Sequence, residues 1–284
     1  MSRVLVFGET GQVATELSRI GNARCVGRAE ANLEDPAACS DAIKRYAPSA
    51  VINAAAYTAV DKAESEESVA KVINAFAVRA MAETCAEMGI PLVHISTDYV
   101  FEGSGLDAFA PTDQTSPQNA YGRTKLLGET FVKSSGCVFA IVRTSWVFSA
   151  HGSNFVKTML MLAQSRDQLS VVSDQVGGPT SARAIANACM EIATQLRDSP
   201  SKSGVYHFSG APNVSWAEFA QQIFKRASLK VKVTGIPTAE YPTPAVRPLN
   251  SRLDCSDTCR IFGVKQPDWR IELDSVLTDL RVAS

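Results

Sequence analysis

The chain has 284 residues, 45% of them hydrophobic, with a formal net charge of −1. That length buries a sizeable core in one or two domains, and the near-neutral balance offers no basic surface to nucleic acid. No apolar run is long enough to span a bilayer, and Arg3-Val-Leu-Val-Phe-Gly8 reads as a buried strand entering a glycine turn rather than a secretory leader, so a cytoplasmic protein without a membrane partner is expected. The seven cysteines are scattered, form no Cys-x-x-Cys pair and have no histidine near Cys255 and Cys259, the closest two. Reduced thiols and no metal site are expected.

Short apolar strands are predicted at Val4 to Phe7, Ala23 to Val26, Ala50 to Asn53, Leu92 to Ser96 and Phe139 to Thr144. Helical stretches fall between them at Val13 to Arg19, Pro36 to Tyr46, Val69 to Met88 and Asn119 to Ser134. This alternation predicts an α/β fold with a doubly wound parallel sheet of the Rossmann type. After Trp146 the rhythm changes. Helices are predicted at Asn154 to Gln164 and Ala182 to Leu196, and strands at Leu169 to Val172 and Val205 to Ser209. Ser215-Trp-Ala-Glu218 has capping-box spacing and opens a further helix. Five prolines from Pro237 onward predict an irregular segment over Pro237 to Asn250 before a final helix. The expected division is a dinucleotide-binding domain over residues 1–150, with 175–210 packing back onto it. Residues 151–174 and 211–284 form a smaller, interleaved substrate lobe.

Gly8-Glu-Thr-Gly11-Gln12-Val13-Ala14 follows the first strand and opens the first helix. Gly-x-x-Gly-x-x-Ala is a variant of the dinucleotide fingerprint: glycines let the backbone turn tightly and approach a pyrophosphate at a helix N-terminus. Gly8, Gly11, Gln12 and Val13 are therefore candidate cofactor contacts. The second strand ends in Gly27-Arg28, with Glu30 slightly further on. An arginine there meets a 2′-phosphate, which favours NADPH with NADH as the alternative, unless Arg28 is only a solvated surface charge. Asn32-Leu33 forms an adenine-pocket wall or a turn. Ala54, Ala55 and Ala56 let a ligand lie against the backbone, or serve close sheet–helix packing.

Tyr121 and Lys125 stand four apart on a predicted helix, downstream of a strand ending Ser96-Thr97-Asp98. That spacing puts both on one face, where a cation favours phenolate and lowers the phenol's pKa, making it a usable acid or base. A surface helix with an exposed Tyr and Lys is the bland alternative.

Together with Asn53-Ala-Ala-Ala-Tyr-Thr-Ala-Val-Asp-Lys-Ala-Glu64, Ser96-Thr-Asp-Tyr-Val-Phe101, Tyr121-Gly-Arg-Thr-Lys125, Arg143-Thr-Ser-Trp-Val-Phe148, Asp174-Gln-Val-Gly-Gly-Pro-Thr180 and Arg247-Pro-Leu-Asn-Ser-Arg-Leu253, these segments resemble the extended short-chain dehydrogenase/reductase superfamily. Within it they resemble the dTDP-4-dehydrorhamnose reductases, in order over nearly the whole chain. The resemblance implies NADPH-dependent reduction of the 4-keto group of dTDP-6-deoxy-L-lyxo-4-hexulose. In that reading Tyr121 protonates O4, Lys125 holds the nicotinamide ribose and tunes the phenol, and Thr97 polarises the ketone. Asp98 and Trp146 match sugar-contacting positions, although Trp146 could equally be a core aromatic. Arg247 and Arg252, with Asn250 between them, suit the nucleotide end of the dTDP-sugar if the tail folds back over the carboxyl edge of the sheet.

Some relatives carry carboxylates for a magnesium-bridged dimer. Here Glu16 is present but Arg183 stands where the second is expected, which disfavours a metal-bridged dimer; a monomer or a homodimer is expected. The rivals are another nucleotide-sugar reductase or epimerase, and a non-catalytic dinucleotide-binding subunit resembling the methionine adenosyltransferase β subunit. A dehydratase is disfavoured because Thr97-Asp98-Tyr99 lacks the neighbouring acid of Thr-Asp-Glu.

Overall fold

A computed structural model describes residues 3–281. Six strands, β1 (Val4–Phe7), β2 (Ala23–Val26), β3 (Ala50–Asn53), β4 (Leu92–Thr97), β5 (Phe139–Thr144) and β6 (Gly204–His207), form one sheet in the order β2-β1-β3-β4-β5-β6. Every pairing in it is parallel. All four residues of β1 and of β3 are buried, as expected of strands covered on both faces.

The covering helices are α1 (Gln12–Ser18), α2 (Pro36–Tyr46), α3 (Ala77–Met88), α4 (Ala120–Ser134) and α5 (Ala182–Asp198). Helices α1 and α5 bury Val13, Leu17, Ile185, Cys189 and Ile192 against one face. Helices α2, α3 and α4 bury Ile43, Val78, Met81 and Val132 against the other. The single helix expected from Val69 to Met88 is instead Glu67–Lys71, a π-turn at Val72–Phe76, and then α3. Periodicity does not reveal the extra residue of such a turn, but its consequence is local and polar. Asn74 accepts from the Tyr57 backbone N–H at 2.8 Å and donates to the Tyr57 carbonyl at 3.2 Å and to Thr124 Oγ1 at 3.1 Å. The turn thus ties the loop after β3 to α4, as π-bulges near functional sites commonly do.

A second core gathers Phe148, Leu169, Phe219, Phe224, Trp269 and Leu273. Around it, Gln168–Val172 and Lys232–Ile236 pair as parallel strands. The capping box forms at the helix Trp216–Arg226: the Ser215 hydroxyl accepts from the Glu218 N–H, and the Glu218 carboxylate accepts from the Ser215 N–H. The tail has two helices rather than the one expected, because Gly263 in the left-handed region ends Ser256–Phe262 before Trp269–Asp279 begins. The first of them returns to the sheet, where Phe262 packs edge-on against Tyr206 at 4.8 Å and the Thr258 hydroxyl donates to the His207 carbonyl at 2.6 Å. Among the described residues no helix is long and apolar enough to cross a membrane.

Candidate active site

The chain leaves β1 toward β2 and later enters β3 on the other side, which makes the carboxyl ends of β1 and β3 the switch point where doubly wound sheets bind ligands. A cavity of about 940 Å³ opens there and extends to the end of β4. It brings together Gly8, Gly11, Gln12, Val13, Arg28, Asn32, Leu33, Ala54, Ala55, Ala56, Thr97, Asp98, Tyr121, Lys125 and Trp146.

At the glycine turn, Gly8 has φ +118° and its α-carbon packs so closely that a Cβ would lie 3.2 Å from that of Ala14. Gly11, the N-cap of α1, faces open space at the cavity. The Gln12 side chain is already engaged, accepting from Ser149 Oγ at 2.8 Å and Asn154 Nδ2 at 2.9 Å, and so braces the turn against the second lobe. Asn32 Oδ1 accepts from the Glu34 N–H at 3.1 Å, which makes its side chain part of a turn. Arg28 is exposed and has no ion-pair partner among the described residues. Sequence reasoning missed Glu9, whose carboxylate packs where a Cβ on Gly27 would stand. An acidic group therefore does reach the end of β2, but from the glycine turn instead of from β2 itself.

Thr97 ends β4 in extended backbone and caps the short turn Asp98–Val100 by accepting from the Tyr99 N–H at 3.2 Å. Its hydroxyl donates to Asp98 Oδ1 at 3.0 Å. Asp98 is buried, and burial pushes its carboxyl up to about 6, against the opposing pull of the Ser251 and Thr97 hydroxyls. Helix α4 delivers Tyr121 to the same place. Asn119 caps it by accepting from the Gly122 N–H at 2.8 Å. Gly122 is required there, because a Cβ would run into the Tyr99 carbonyl. The Tyr121 ring stands edge-on to Tyr99, with centroids 5.6 Å apart.

The electrostatics correct the sequence reading of this pair. Burial, and then the charge of Asp98, push the Tyr121 phenol well above its usual range, with Thr97 opposing them. Lys125 Nζ lies 2.7 Å from the Ile95 carbonyl and 3.2 Å from His94 Nε2, and burial lowers it to about 8 against the opposing charge of Glu129. A helical i, i+4 spacing shows that two side chains share a face. It does not show what else that face meets.

Trp146 has φ +49° and stacks on Trp216, with centroids 3.6 Å apart and planes at 10°. It is half-buried at the cavity wall, so it is not a plain core aromatic. Arg247, Asn250 and Arg252 are not brought to the wall. Arg247 pairs with Asp61 at 2.8 Å. Asn250 is buried, donates to the Ser104 and Asp107 carbonyls at 3.2 and 2.8 Å, and accepts from Arg252 Nη1 at 2.9 Å. Asn250 thereby clamps the loop that follows the Thr97–Asp98 turn, while Arg247 ties the tail to the segment after β3. Glu16 lies 3.6 Å from Arg183 and 3.2 Å from the His151 ring, so a guanidinium fills the space beside that carboxylate. Among the described residues no cluster of three His, Cys, Asp or Glu is arranged for a metal ion.

The cavity fits a polar, elongated ligand. Asp98 Oδ2 and Thr144 Oγ1 are buried and lack hydrogen-bond partners, and both residues line it. The glycine cradle and exposed Arg28 at one end, and Thr97, Asp98 and Tyr121 at the other, give it an anion-accepting half and a proton-transfer half.

Residues 2–282 match the family described as the RmlD substrate binding domain. The chain is 44% identical over 279 residues to the dTDP-4-dehydrorhamnose reductase of Sinorhizobium fredii, covering 94% of each chain. It is 38% identical to that of Escherichia coli strain K12, covering 98% of this chain and 97% of the relative. Among solved structures, a Clostridium acetobutylicum dTDP-4-dehydrorhamnose reductase superposes with a TM-score of 0.91 at 35% identity, covering 98% of this chain and 99% of that one. The Bacillus anthracis dTDP-4-dehydrorhamnose reductase, solved in complex with NADP, superposes with a TM-score of 0.90 at 34% identity over the same shares. On this evidence the chain belongs to the dTDP-4-dehydrorhamnose reductase family.

Proposed function

We propose that the protein reduces the 4-keto group of dTDP-6-deoxy-L-lyxo-4-hexulose to give dTDP-L-rhamnose, with NADPH preferred over NADH. One observation carries the reading: a phenol that keeps its proton, Tyr121, shares a cavity with a dinucleotide cradle and a buried carboxyl group, Asp98, whose Oδ2 has no hydrogen-bond partner. When bound, NADPH supplies the hydride that arrives at C4. Negative charge then develops on O4, and Tyr121 gives its phenolic proton there. The Thr97 hydroxyl, turned from Asp98 toward the ketone, donates to the same oxygen. Asp98 Oδ2 accepts from a sugar hydroxyl, and the Trp146 ring offers an apolar face to the sugar. Lys125 donates to the nicotinamide ribose, and Arg28 meets the 2′-phosphate.

The family and the cavity support a dTDP-sugar as partner, and the protein would meet it in the cytoplasm as a monomer or a homodimer. Incubating purified protein with NADPH and the 4-keto sugar nucleotide, while following loss of reduced-cofactor absorbance and isolating the product, tests the reading. Consumption of one cofactor per dTDP-L-rhamnose formed supports it. NADPH binding without turnover would point to the non-catalytic alternative.

A further inference from the structure

Three hydroxyl side chains gather at the carboxyl ends of β4 and β5, and one of them has nothing to bond. Thr97 ends β4 and Thr144 ends β5; the two are register partners, so their side chains leave the same face of the sheet. The Thr97 hydroxyl donates to Asp98 Oδ1 and accepts from the Tyr99 N–H. Ser145, next along, donates its hydroxyl to the Gly178 carbonyl at 3.0 Å. Thr144 is 5% exposed and lines the cavity, and its Oγ1 is buried with no hydrogen-bond partner. Such a hydroxyl costs stability, and folded proteins leave few of them. The roles proposed for Thr97, Asp98 and Tyr121 leave it unused.

The face it leaves decides what it can reach. Val142, two residues back, packs in the core beneath α1 and α5, whereas Arg143 points to the other face and meets Glu129 of α4. Alternation therefore puts Thr144 with Val142, on the side of α1 and its glycine turn. Along the edge of the sheet the order is β2-β1-β3-β4-β5. A dinucleotide with its pyrophosphate at Gly8 and Gly11 and its 2′-phosphate at Arg28, after β2, runs its other half past β3 and β4 toward β5. The ribose of that half would meet Lys125, whose Nζ lies 2.7 Å from the Ile95 carbonyl of β4. The neighbouring strand is about 4.8 Å further on, within the reach of a ring attached to that ribose. The sugar must instead reach Tyr121, which α4 delivers from the opposite face.

We propose that the Thr144 hydroxyl binds the carboxamide of the nicotinamide ring and fixes which way that ring faces. A primary carboxamide carries a carbonyl acceptor beside an N–H donor, and a hydroxyl, being both donor and acceptor, meets either. The carboxamide is the one hydrogen-bonding group on the ring, so a single partner there sets the ring's rotation about its bond to the ribose. The inference rests on the proposed use of NADPH but not on turnover. It explains why a hydroxyl is kept where a methyl would suit the ligand-free fold better.

Thr144→Val replaces the hydroxyl by a methyl of similar size, and Thr144→Ser restores it. The probes for calorimetric titration are NADPH, 2′-phospho-ADP-ribose, which is the cofactor without its nicotinamide, and dTDP-L-rhamnose. Thr144→Val should weaken NADPH about three- to tenfold, the loss of one neutral hydrogen bond, and leave the other two within about twofold. Thr144→Ser should bind NADPH as the wild type does. Without ligand, Thr144→Val should melt no lower than the wild type, because it removes a hydroxyl that has no partner. Unchanged NADPH affinity, an equal loss with 2′-phospho-ADP-ribose, a loss confined to dTDP-L-rhamnose, or a variant that melts lower or fails to fold would overturn the proposal. Wild-type protein that binds no NADPH would remove the cofactor reading on which it rests. The expected binding pattern without turnover would remove only the proposed reaction and leave the role of Thr144 standing.

Discussion

Trp146 and Trp216 lie face to face, with ring centroids 3.6 Å apart and planes at 10°. One belongs to the segment leaving β5 and the other is the first residue of the capped helix Trp216–Arg226, so the stack joins the sheet to the second lobe at the cavity wall. Gly177 lies against the Trp146 ring, where a Cβ would come within 3.0 Å. The ring is thus held by a flat partner and a bare backbone, in a conformation a non-glycine residue rarely takes. Aromatic pairs contribute about 0.5–1.5 kcal/mol beyond the area they bury.

Trp216→Ala should therefore free the Trp146 ring and raise the KM for the sugar nucleotide about tenfold, equivalent to roughly 1.4 kcal/mol. The Kd for NADPH should stay within about twofold, because the glycine cradle does not touch the stack. Trp146→Ala should act in the same direction. Steady-state kinetics and a cofactor titration decide it. If cofactor affinity and melting temperature fall together instead, the stack serves the fold and not the sugar.

Tyr121→Phe keeps the ring, its edge contact with Tyr99 and the close approach at Gly122, and removes only the hydroxyl. The kcat should drop by at least about a hundredfold, the ordinary scale of general-acid catalysis, with NADPH affinity and thermal stability retained. Near wild-type turnover in single-turnover measurements would remove Tyr121 from its assigned role.

The strands and their parallel pairing were legible because a run such as Val4–Phe7 is apolar at every position, and only a doubly covered sheet accommodates that. The switch-point cavity followed from the strand–turn–helix order of Gly8 to Ala14. What escaped was set by partners remote in sequence. Lys125 meets His94, 31 residues away, and burial with the charge of Asp98 raises the Tyr121 phenol that the spacing alone was expected to lower. Asn250, in a motif that reads as a substrate clamp, spends its amide on carbonyls 143 and 146 residues away. The π-turn at Val72–Phe76 left no mark on periodicity, yet it places Asn74 where Tyr57 and Thr124 need it.

Cofactor discrimination should depend on two residues of opposite charge. Arg28 is exposed and free to meet a 2′-phosphate, while the Glu9 carboxylate packs over Gly27, where an acceptor reaches ribose hydroxyls and repels a phosphate. Arg28→Ala should weaken NADPH by at least about tenfold, the loss of one charge-assisted contact, and NADH hardly at all. Glu9→Gln should shift the ratio the other way by improving NADPH. Titrations with both cofactors against both variants measure the ratio directly, and an equal effect of Arg28→Ala on the two would make Arg28 a surface charge.

Asp98 gives a pH dependence of defined sign. Burial raises its carboxyl from 3.8 to about 6, so between those values the folded state holds a proton that the unfolded chain has released. The protonated group's contribution to stability is fully present below about pH 4 and is lost as pH rises through about 6. A shift of about two units corresponds to roughly 3 kcal/mol at most. His207 acts in the opposite direction: burial, then Arg143, lower it to about 3, so its effect is a gain of stability as pH rises from about 3 to 6.5. The difference between wild type and Asp98→Asn removes that term, because His207 is present in both. Urea denaturation from pH 4 to 8 should therefore show the variant gaining on the wild type by up to about 3 kcal/mol as pH rises, nearly all of it by pH 7. The same variant should bind the sugar nucleotide less tightly, having lost the charge of the unpartnered Oδ2. A pH-independent difference would mean that Asp98 titrates at an ordinary carboxylate pKa, and that its burial is relieved by a partner.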